Sequence, residues 1–488
     1  MKKINLILFS AFLLINLISC VDEADDYNND KDRVYNVEAA ALITNAQKEL
    51  SDQMTTPSVN LNVFRYFSQY WAATTYTTES RYRVSTRKIP DNHWNNLFRD
   101  VLGNLNSAKS AVYAEVKPVS MSDAEWTIQQ KNKISIIEIQ MVYTFQILVD
   151  TFGDIPYSEA LNPAIVLPKY ENDELIYPKL ITRLNEALNN LDTNGTSFEK
   201  GDYIFNGDTE KWKLFGNSLK VKLGINIADF NNTLAKSTIE SAYSAGVILS
   251  NSDNALFEYV SLAPNYNPIY DNLVASGRND FVPAKTIVDE MNNLLDPRRE
   301  KYFTFKPNTT TYVGGRYGYT NTYTNFSHIS DGIKQDKAPG ILFEADEVCF
   351  YLAEAAERGY IVGNTAEYYY NKGIENSFEL WNATDVSVYL ANPTVAYSTA
   401  AGTWKEKIGK QAWIALFNRG FESWNSWRRL DFPTLVAPAN AYSEANGLVP
   451  RRLTYPSNEQ TVNGDNYNAA SLAIGGDKLY TKVFWDVN

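Results

Sequence analysis

Apolar residues recur at three- and four-residue spacing along most of the chain, the period of helices that bury one face. Between residues 91 and 113, Trp94, Leu97, Phe98, Val101, Leu102, Leu105, Ala108 and Val112 form one such stripe. Residues 134 to 149 are apolar nearly all round, which predicts a helix enclosed in a bundle. That run stops at Phe152-Gly153-Asp154-Ile155-Pro156, where glycine accepts a left-handed ending and proline forbids continuation. A third stripe runs through Leu175, Ile176, Leu180, Ile181, Leu184, Leu188 and Leu191, and a fourth through Trp212, Phe215, Leu219, Leu223 and Ile227. Later, Val348, Leu352, Ala355 and Ala356 lie on a helix closed by Gly359. Thr365 then caps a helix presenting Tyr369, Ile374, Phe378 and Trp381. This pair occupies roughly 38 residues, close to the two-helix unit of tetratricopeptide solenoids. No crisp consensus repeats, so the units are degenerate. The expected architecture is all-α dominated: a tetratricopeptide-like helical scaffold with long loop-rich insertions, one domain over residues 35–488.

Two stretches refuse the helical period. The first, FRYFSQYWAATTYTTESRYRVSTRKIPDNHW (64–94), is rich in Tyr, Thr, Ser and Arg. The second, FKPNTTTYVGGRYGYTNTYTNFSHISDG (305–332), carries tyrosines among Gly, Asn and Thr. Neither has an apolar stripe to dock its rings. Long irregular segments in a compact domain are functional or disordered, and aromatic content argues against disorder.

The N-terminus adds an address. Residues 4 to 18 are apolar apart from Asn5, Ser10 and Asn16, and follow Lys2 and Lys3. At about fifteen residues the run is shorter than the roughly 20 needed to cross a bilayer core, so residues 1–19 read as a secretory signal. Its end, Leu17-Ile18-Ser19-Cys20, resembles the lipobox of bacterial lipoproteins, which implies cleavage before Cys20 and lipidation of that residue. An ordinary signal with an unrelated cysteine is the alternative. Val21 to Asp32 then holds six acids against one lysine, so residues 20–34 read as an acidic, solvated tether. An acidic stretch directly after a lipidated cysteine looks like the export signal of certain surface lipoproteins. Several acyl chains anchor a protein firmly without its spanning the bilayer.

Charge and composition narrow the chemistry. The formal charge is −12, or −14 once Lys2 and Lys3 are removed, which argues against nucleic acid as a partner. Beyond Cys20 the only cysteine is Cys349, so the mature body holds no internal disulfide; Cys349 beside an apolar stripe reads as core. His93 and His328 are thin material for a catalytic triad or a metal centre, and no cofactor or metal is expected. The surplus is aromatic, with 32 Tyr, 23 Phe and 10 Trp, side chains that pair a flat apolar face with a polar edge.

An ordered set of segments carries a resemblance. Cys20 followed by acids, VYTFQILVDTFGDIPYSEAL (142–161), KWKLFGNSLKVKLGINIAD (211–229) and NDFVPAKTIVDEMNNLLDPRREKYF (279–303) come first. FEADEVCFYLAEAAERGY (343–360), WIALFNRGFESWNSWRRLDFP (413–433), LVPRRLTYPSNEQTVNGDNYNAA (448–470) and the closing TKVFWD follow. Together they resemble the SusD/RagB family, in its second SusD-like subgroup, over essentially the whole mature chain. The resemblance implies a lipid-anchored outer-membrane protein facing the cell exterior, built on tetratricopeptide helices. It implies a non-enzymatic lid on a SusC-like TonB-dependent transporter that captures an oligosaccharide or, in the RagB branch, a peptide. A surface glycoside hydrolase is the remote alternative, since two carboxylates suffice for that reaction.

Sugar capture needs flat rings against pyranose C–H faces, with amide, carboxylate or guanidinium partners for hydroxyls. The first irregular segment offers Trp71, Tyr76, Arg81, Tyr82 and Trp94; Trp94 also fits the helical stripe, and Arg81 has an alternative partner in Glu79. The second offers Tyr312, Arg316, Tyr317, Tyr319 and Tyr323, with Asn321 as a hydroxyl partner. Asn265-Tyr266-Asn267 is a third candidate, equally readable as a plain turn. Arg428-Arg429 near Glu422, Trp424, Trp427 and Asp431 reads as a buried ion-pair and stacking network, and Arg451-Arg452 near Glu459 reads similarly. Asp150 and Asp154 read as helix-end residues rather than an acid–base pair.

Overall fold

Residues 37–487 are described by a computed structural model of the chain. The signal-like run, Cys20 and the acidic stretch to residue 34 lie outside the described residues. Helices pack in sequential pairs: α1 (Ala39–Thr55) with α2 (Gly103–Ala114), α3 (Asp123–Phe152) with α4 (Asp173–Asn190), and α5 (Thr209–Asn226) with α6 (Asn232–Ala245). After a loop-rich stretch, α7 (Ala345–Glu357) pairs with α8 (Ala366–Leu380), and α9 (Trp404–Ala415) with α10 (Gly420–Leu430). α7 also packs on α5 and α9, which makes the repeat array continuous.

Local chemistry explains where these helices begin. Ser122 and Glu125 form a reciprocal cap on α3, the Ser122 hydroxyl accepting the Glu125 N–H at 3.3 Å and the Glu125 carboxylate accepting the Ser122 N–H at 3.0 Å. Asn172, Asp208 and Thr365 accept first-turn N–H groups of α4, α5 and α8 in the same manner. Gly153 ends α3 at φ 79°, as the sequence anticipates. α3 is long and apolar enough to cross a membrane by length and composition, yet 94% of its most apolar window is buried inside the protein, as for a core helix. Close approach of α7 and α8 depends on Gly373, where a Cβ would meet the Phe350 ring at 2.9 Å.

The stripe at 91–113 is helical but not uniform: α-turns at Ile89–Asn95 and Gly103–Ala114 flank wider π-type turns at Asn96–Leu102. The first irregular segment holds more structure than its composition suggests. It contains short helical turns at Phe64–Phe67, Glu79–Arg81 and Ser85–Arg87, each followed by a left-handed residue, Gln69, Tyr82 and Lys88 in turn. Among the described residues, six short strands make three antiparallel ribbons. β1 (Trp71–Ala73) pairs with β5 (Phe281–Pro283), β2 (Ile155–Pro156) with β3 (Tyr170–Glu171), and β4 (Ala255–Phe257) with β6 (Gly340–Phe343).

The core is unusually rich in buried charge. Lys222 of α5 pairs with Glu422 of α10 and lies 3.5 Å from Glu347, while Arg419 reaches Glu347 at 2.5 Å and Glu344 at 3.1 Å. Arg428 is buried with its guanidinium 3.6 Å from the Trp424 ring centre, the stacking expected, whereas Arg429 pairs with Glu354 at 2.9 Å, and Glu422 and Asp431 pair instead with Lys222 and Arg451. Arg452 finds Asp477 at 2.7 Å instead of Glu459, which accepts the Tyr170 hydroxyl. Asp150 is a buried hub accepting from Tyr177 (2.5 Å), Trp485 (2.9 Å) and Asn425 (2.9 Å). Cys349 is buried and free.

Some of this burial is sensitive to pH. Burial, then the neighbouring Asp154 carboxylate, pushes Asp173 up to about 7. Burial also pushes Glu344 up to about 7, against the pull of Arg419. Carboxyls raised on folding contribute their full stability below the unfolded-state value near 4; that contribution is lost as pH rises through the folded-state value. The melting temperature is therefore expected to lose a few degrees from these two groups between pH 5 and pH 8. Differential scanning calorimetry of Asp173→Asn, which keeps an acceptor oxygen but cannot ionise, should show a smaller loss over that range.

Candidate functional site

The β1–β5 ribbon is the platform on which the aromatic-rich segments meet. Its register sets Trp71 opposite Pro283 and Ala73 opposite Phe281, and Thr74 N–H extends the ladder to the Asp280 carbonyl at 2.9 Å. The second segment docks alongside: Gly315 N–H donates to the Pro283 carbonyl at 2.8 Å, and Lys285 N–H to the Gly315 carbonyl at 2.7 Å. Asn321 clasps the join. Its side-chain amide lies within hydrogen-bonding distance of the carbonyls of Ala73 (2.9 Å), Arg316 (3.0 Å) and Tyr319 (2.8 Å), and its oxygen accepts the Arg316 N–H (2.7 Å). Asn321 is therefore a buried backbone clasp, not a partner for ligand hydroxyls.

Four of the rings expected to stack on ligand are also spent inside. Tyr317 and Tyr82 are buried with ring centres 6.2 Å apart, and the Tyr317 hydroxyl donates to the Tyr66 carbonyl at 2.6 Å. Trp71 is 1% exposed, between the Phe281 ring at 5.1 Å and the Arg65 guanidinium at 5.0 Å. Trp94 sits among Phe98, Phe152 and Tyr170, the helical-stripe alternative. Where a segment has no helical period, its rings join the main hydrophobic core and fasten one loop to another. Arg81 serves the same end: it stacks 4.2 Å from the Tyr442 ring centre, and its Nε donates to the Asn440 carbonyl at 2.8 Å. Glu79 takes Arg87 as its partner at 2.6 Å, not Arg81.

The remaining candidates reach the surface, but in different places. Tyr76 is 48% exposed at the mouth of a cleft of about 190 Å³. Arg316 is exposed, its guanidinium 3.5 Å from the ring centre of Tyr319, and this pair lines a shallower cleft of about 430 Å³ with Gln69 and Val436. Tyr312 lines a third cleft with Trp381. Tyr323 stacks on His328 at 3.7 Å. The two segments thus meet through buried tyrosines, while their exposed rings do not share one concave face.

The Tyr76 cleft has the composition of a binding site. The Arg87 guanidinium lies 5.3 Å from the Tyr76 ring centre and donates to the Asn60 side-chain oxygen at 3.2 Å. Facing it across the ribbon are Asn272, Arg278 and Asp280, the last two paired at 2.7 Å, over a floor of Tyr66 and Phe281. Guanidinium groups fixed by a carboxylate present planar donors in set directions. A flat exposed ring bordered by amides, guanidiniums and one carboxylate suits a polyhydroxylated ligand. Its volume of about 190 Å³ is below the about 300–1,000 Å³ of a drug-sized site.

Sequence reasoning missed Asn60, Arg87, Asn272, Arg278 and Asp280, because only the β1–β5 pairing brings 57–60 and 76–87 against 272–281. Asn265-Tyr266-Asn267 proves to be a turn: Asn267 is buried, its amide donating to the Ala338 carbonyl at 2.7 Å and its oxygen accepting the Ile269 N–H at 2.7 Å. Among the described residues, no cluster of three or more His, Cys, Asp or Glu side chains is placed to hold a metal ion.

The family model SusD-like_2, described as starch-binding associating with outer membrane, matches residues 31–456. Among curated proteins, no sequence matches. Solved structures do. A chitin-binding protein is 27% identical with a TM-score of 0.78, covering 92% of this chain and 100% of its own. A SusD homologue from Bacteroides thetaiotaomicron is 26% identical with a TM-score of 0.77, covering 93% of this chain and 100% of its own. A chitin-binding SusD homologue from Flavobacterium johnsoniae is 25% identical with a TM-score of 0.77, covering 92% of this chain and 98% of its own.

Proposed function

This chain belongs to the SusD-like family of starch-binding proteins that associate with the outer membrane, and from that premise we propose that it captures an oligosaccharide at the cell surface without cleaving it. The observation that carries the reading is the Tyr76 cleft, an exposed ring bordered by Asn60, Arg87, Asn272, Arg278 and Asp280. Chitin binding by two structural relatives supports a saccharide over a peptide. Asp280 is the single carboxylate lining that cleft and is already paired with Arg278, which leaves no acid–base couple of the kind glycoside hydrolysis uses. In this reading residues 35–488 form one binding domain, held by acylated Cys20 and the acidic tether to the outer leaflet. It hands its ligand to a SusC-like TonB-dependent transporter.

A ligand panel tests the proposal. Purified protein mixed with soluble starch, chitin, cellulose and host glycan oligosaccharides should melt at a higher temperature with at least one of them, because ligand bound to the folded state raises its stability. No new reducing ends should form over hours. Stabilisation only by a protease-digest peptide pool, or steady release of reducing ends, would overturn it.

A further inference from the structure

A roomier cleft than the one at Tyr76 opens between the 300–305 and 330–341 segments and the C-terminal end of α8. It encloses about 770 Å³, against about 190 Å³. That volume lies within the about 300–1,000 Å³ of small-molecule sites. Phe303, Phe305, Tyr312 and Trp381 supply rings, and Ile333, Ile341 and Leu380 complete an apolar wall. Phe305 is 47% exposed and tilts against Tyr312, with ring centres 4.7 Å apart. Trp381 is held by the edge of Tyr302, with ring centres 4.8 Å apart.

Most polar side chains of this lining are already engaged within the chain. The Asn267 amide donates to the Ala338 carbonyl and its oxygen accepts the Ile269 N–H, each at 2.7 Å. The Thr304 hydroxyl donates to the Phe305 carbonyl at 3.2 Å, and the Ser330 hydroxyl to the Lys301 carbonyl at 2.5 Å. The Asn418 oxygen accepts from Arg65 Nε at 2.8 Å. Charge is balanced too: Glu300 pairs with Lys301 at 3.2 Å, and Asp331 with Lys334 at 2.8 Å. A plain sugar seated here would strip water from many hydroxyls and meet groups bonded elsewhere. An ionic ligand would find no uncompensated charge. The Tyr312 hydroxyl and the exposed Asn382 are what the lining leaves for a ligand with a hydroxyl or two.

We infer that this cleft is a second binding site, for a neutral aromatic small molecule with few hydroxyls; it goes beyond the saccharide reading and does not rest on it. The rings of the wall favour an aromatic ligand over an alkyl chain, because stacked and edge-on ring pairs gain more than the area they bury. The hydroxyl-poor character of the ligand follows from the engaged polar lining, and its neutrality from the paired charges.

Fluorescence titration of the purified protein with 2-naphthol, a ring compound bearing a single hydroxyl, tests this. Wild type should bind it with a Kd of about 100 μM or tighter, in keeping with the affinity per atom of small ligands. Phe305→Ala and Tyr312→Ala should each weaken it by about tenfold with the melting temperature unchanged. Tyr76→Ala should leave it unaltered. Equimolar 1-decanol, which matches 2-naphthol in carbon count and hydroxyl, should displace little of it, and cellobiose none. No measurable binding of 2-naphthol, or binding that neither substitution in this cleft weakens, overturns the site. Displacement by cellobiose, or tighter binding of 1-decanol, overturns the aromatic assignment. If an oligosaccharide of the panel binds wild type and 2-naphthol does not, the proposed function stands while this inference falls. If 2-naphthol binds as described and no saccharide does, this inference stands and the proposed function falls.

Discussion

Tyr76→Ala is expected to weaken oligosaccharide binding by roughly thirtyfold, about 2 kcal/mol, with little change in melting temperature. The size of the effect follows from what the cleft contains. Tyr76 is the exposed ring of its lining, the other two rings, Tyr66 and Phe281, being buried as a floor. Without it, the hydrogen-bonding groups around the cleft remain, but the apolar face against which a pyranose ring can lie is gone. The fold should tolerate the change. Arg87, whose guanidinium covers the ring, keeps its bonds to Glu79 and Asn60, and the β1–β5 ladder ends before residue 76. Tyr76→Phe is the informative control, since stacking alone predicts binding within about twofold of wild type. Calorimetric titration with the best ligand of the panel reads both.

Lys222→Met is expected to destabilise the fold by about 3–5 kcal/mol, the penalty for stranding buried charge. Lys222 is fully buried, pairs with Glu422, lies 3.5 Å from Glu347, and sits over the rings of Tyr143 at 5.4 Å and Phe343 at 5.3 Å. Methionine fills a similar volume, so the loss reads charge more than packing. Three carboxylates would then share Arg419, which is 3.9 Å from Glu422 and already engaged with Glu344 and Glu347. Burial pushes Glu422 up and Lys222 is the first of the charges that pull it back down, so removing the lysine favours protonation. Urea denaturation should therefore show a larger loss at pH 8 than at pH 5. Adding Glu422→Gln to the variant should recover part of the stability, whereas full additivity of the two losses would contradict a shared network.

The helical frame was legible because each helix carries its own signal. The stripe from Trp212 to Ile227 and the cap at Thr365 need only neighbouring residues to be read, and both appear where the pattern places them. Boundaries were less clear where the helical pitch changes, as at Asn96–Leu102. The candidate site was legible only in outline. The segments 64–94 and 305–332 do meet on one ribbon, but which of their rings face solvent depends on partners distant in sequence. Tyr82 is closed off by Tyr317, Trp71 by Phe281 and Arg65, and Arg81 by Tyr442. An aromatic residue in an irregular segment carries the same composition signal whether it anchors the loop or waits for ligand. Arg278 and Asp280 went unread for the converse reason: nothing local marks them, and a register of three residue pairs brings them to the cleft.

The central claim, that a saccharide ring lies on the open face at the β1–β5 rim, is tested most directly by a crystal structure with the tightest ligand of the panel. A pyranose ring against Tyr76, with hydroxyls on Arg87, Asn272, Arg278 or Asp280, is the result expected. A well-ordered saccharide bound elsewhere, with Tyr76 still facing bare solvent, would contradict it.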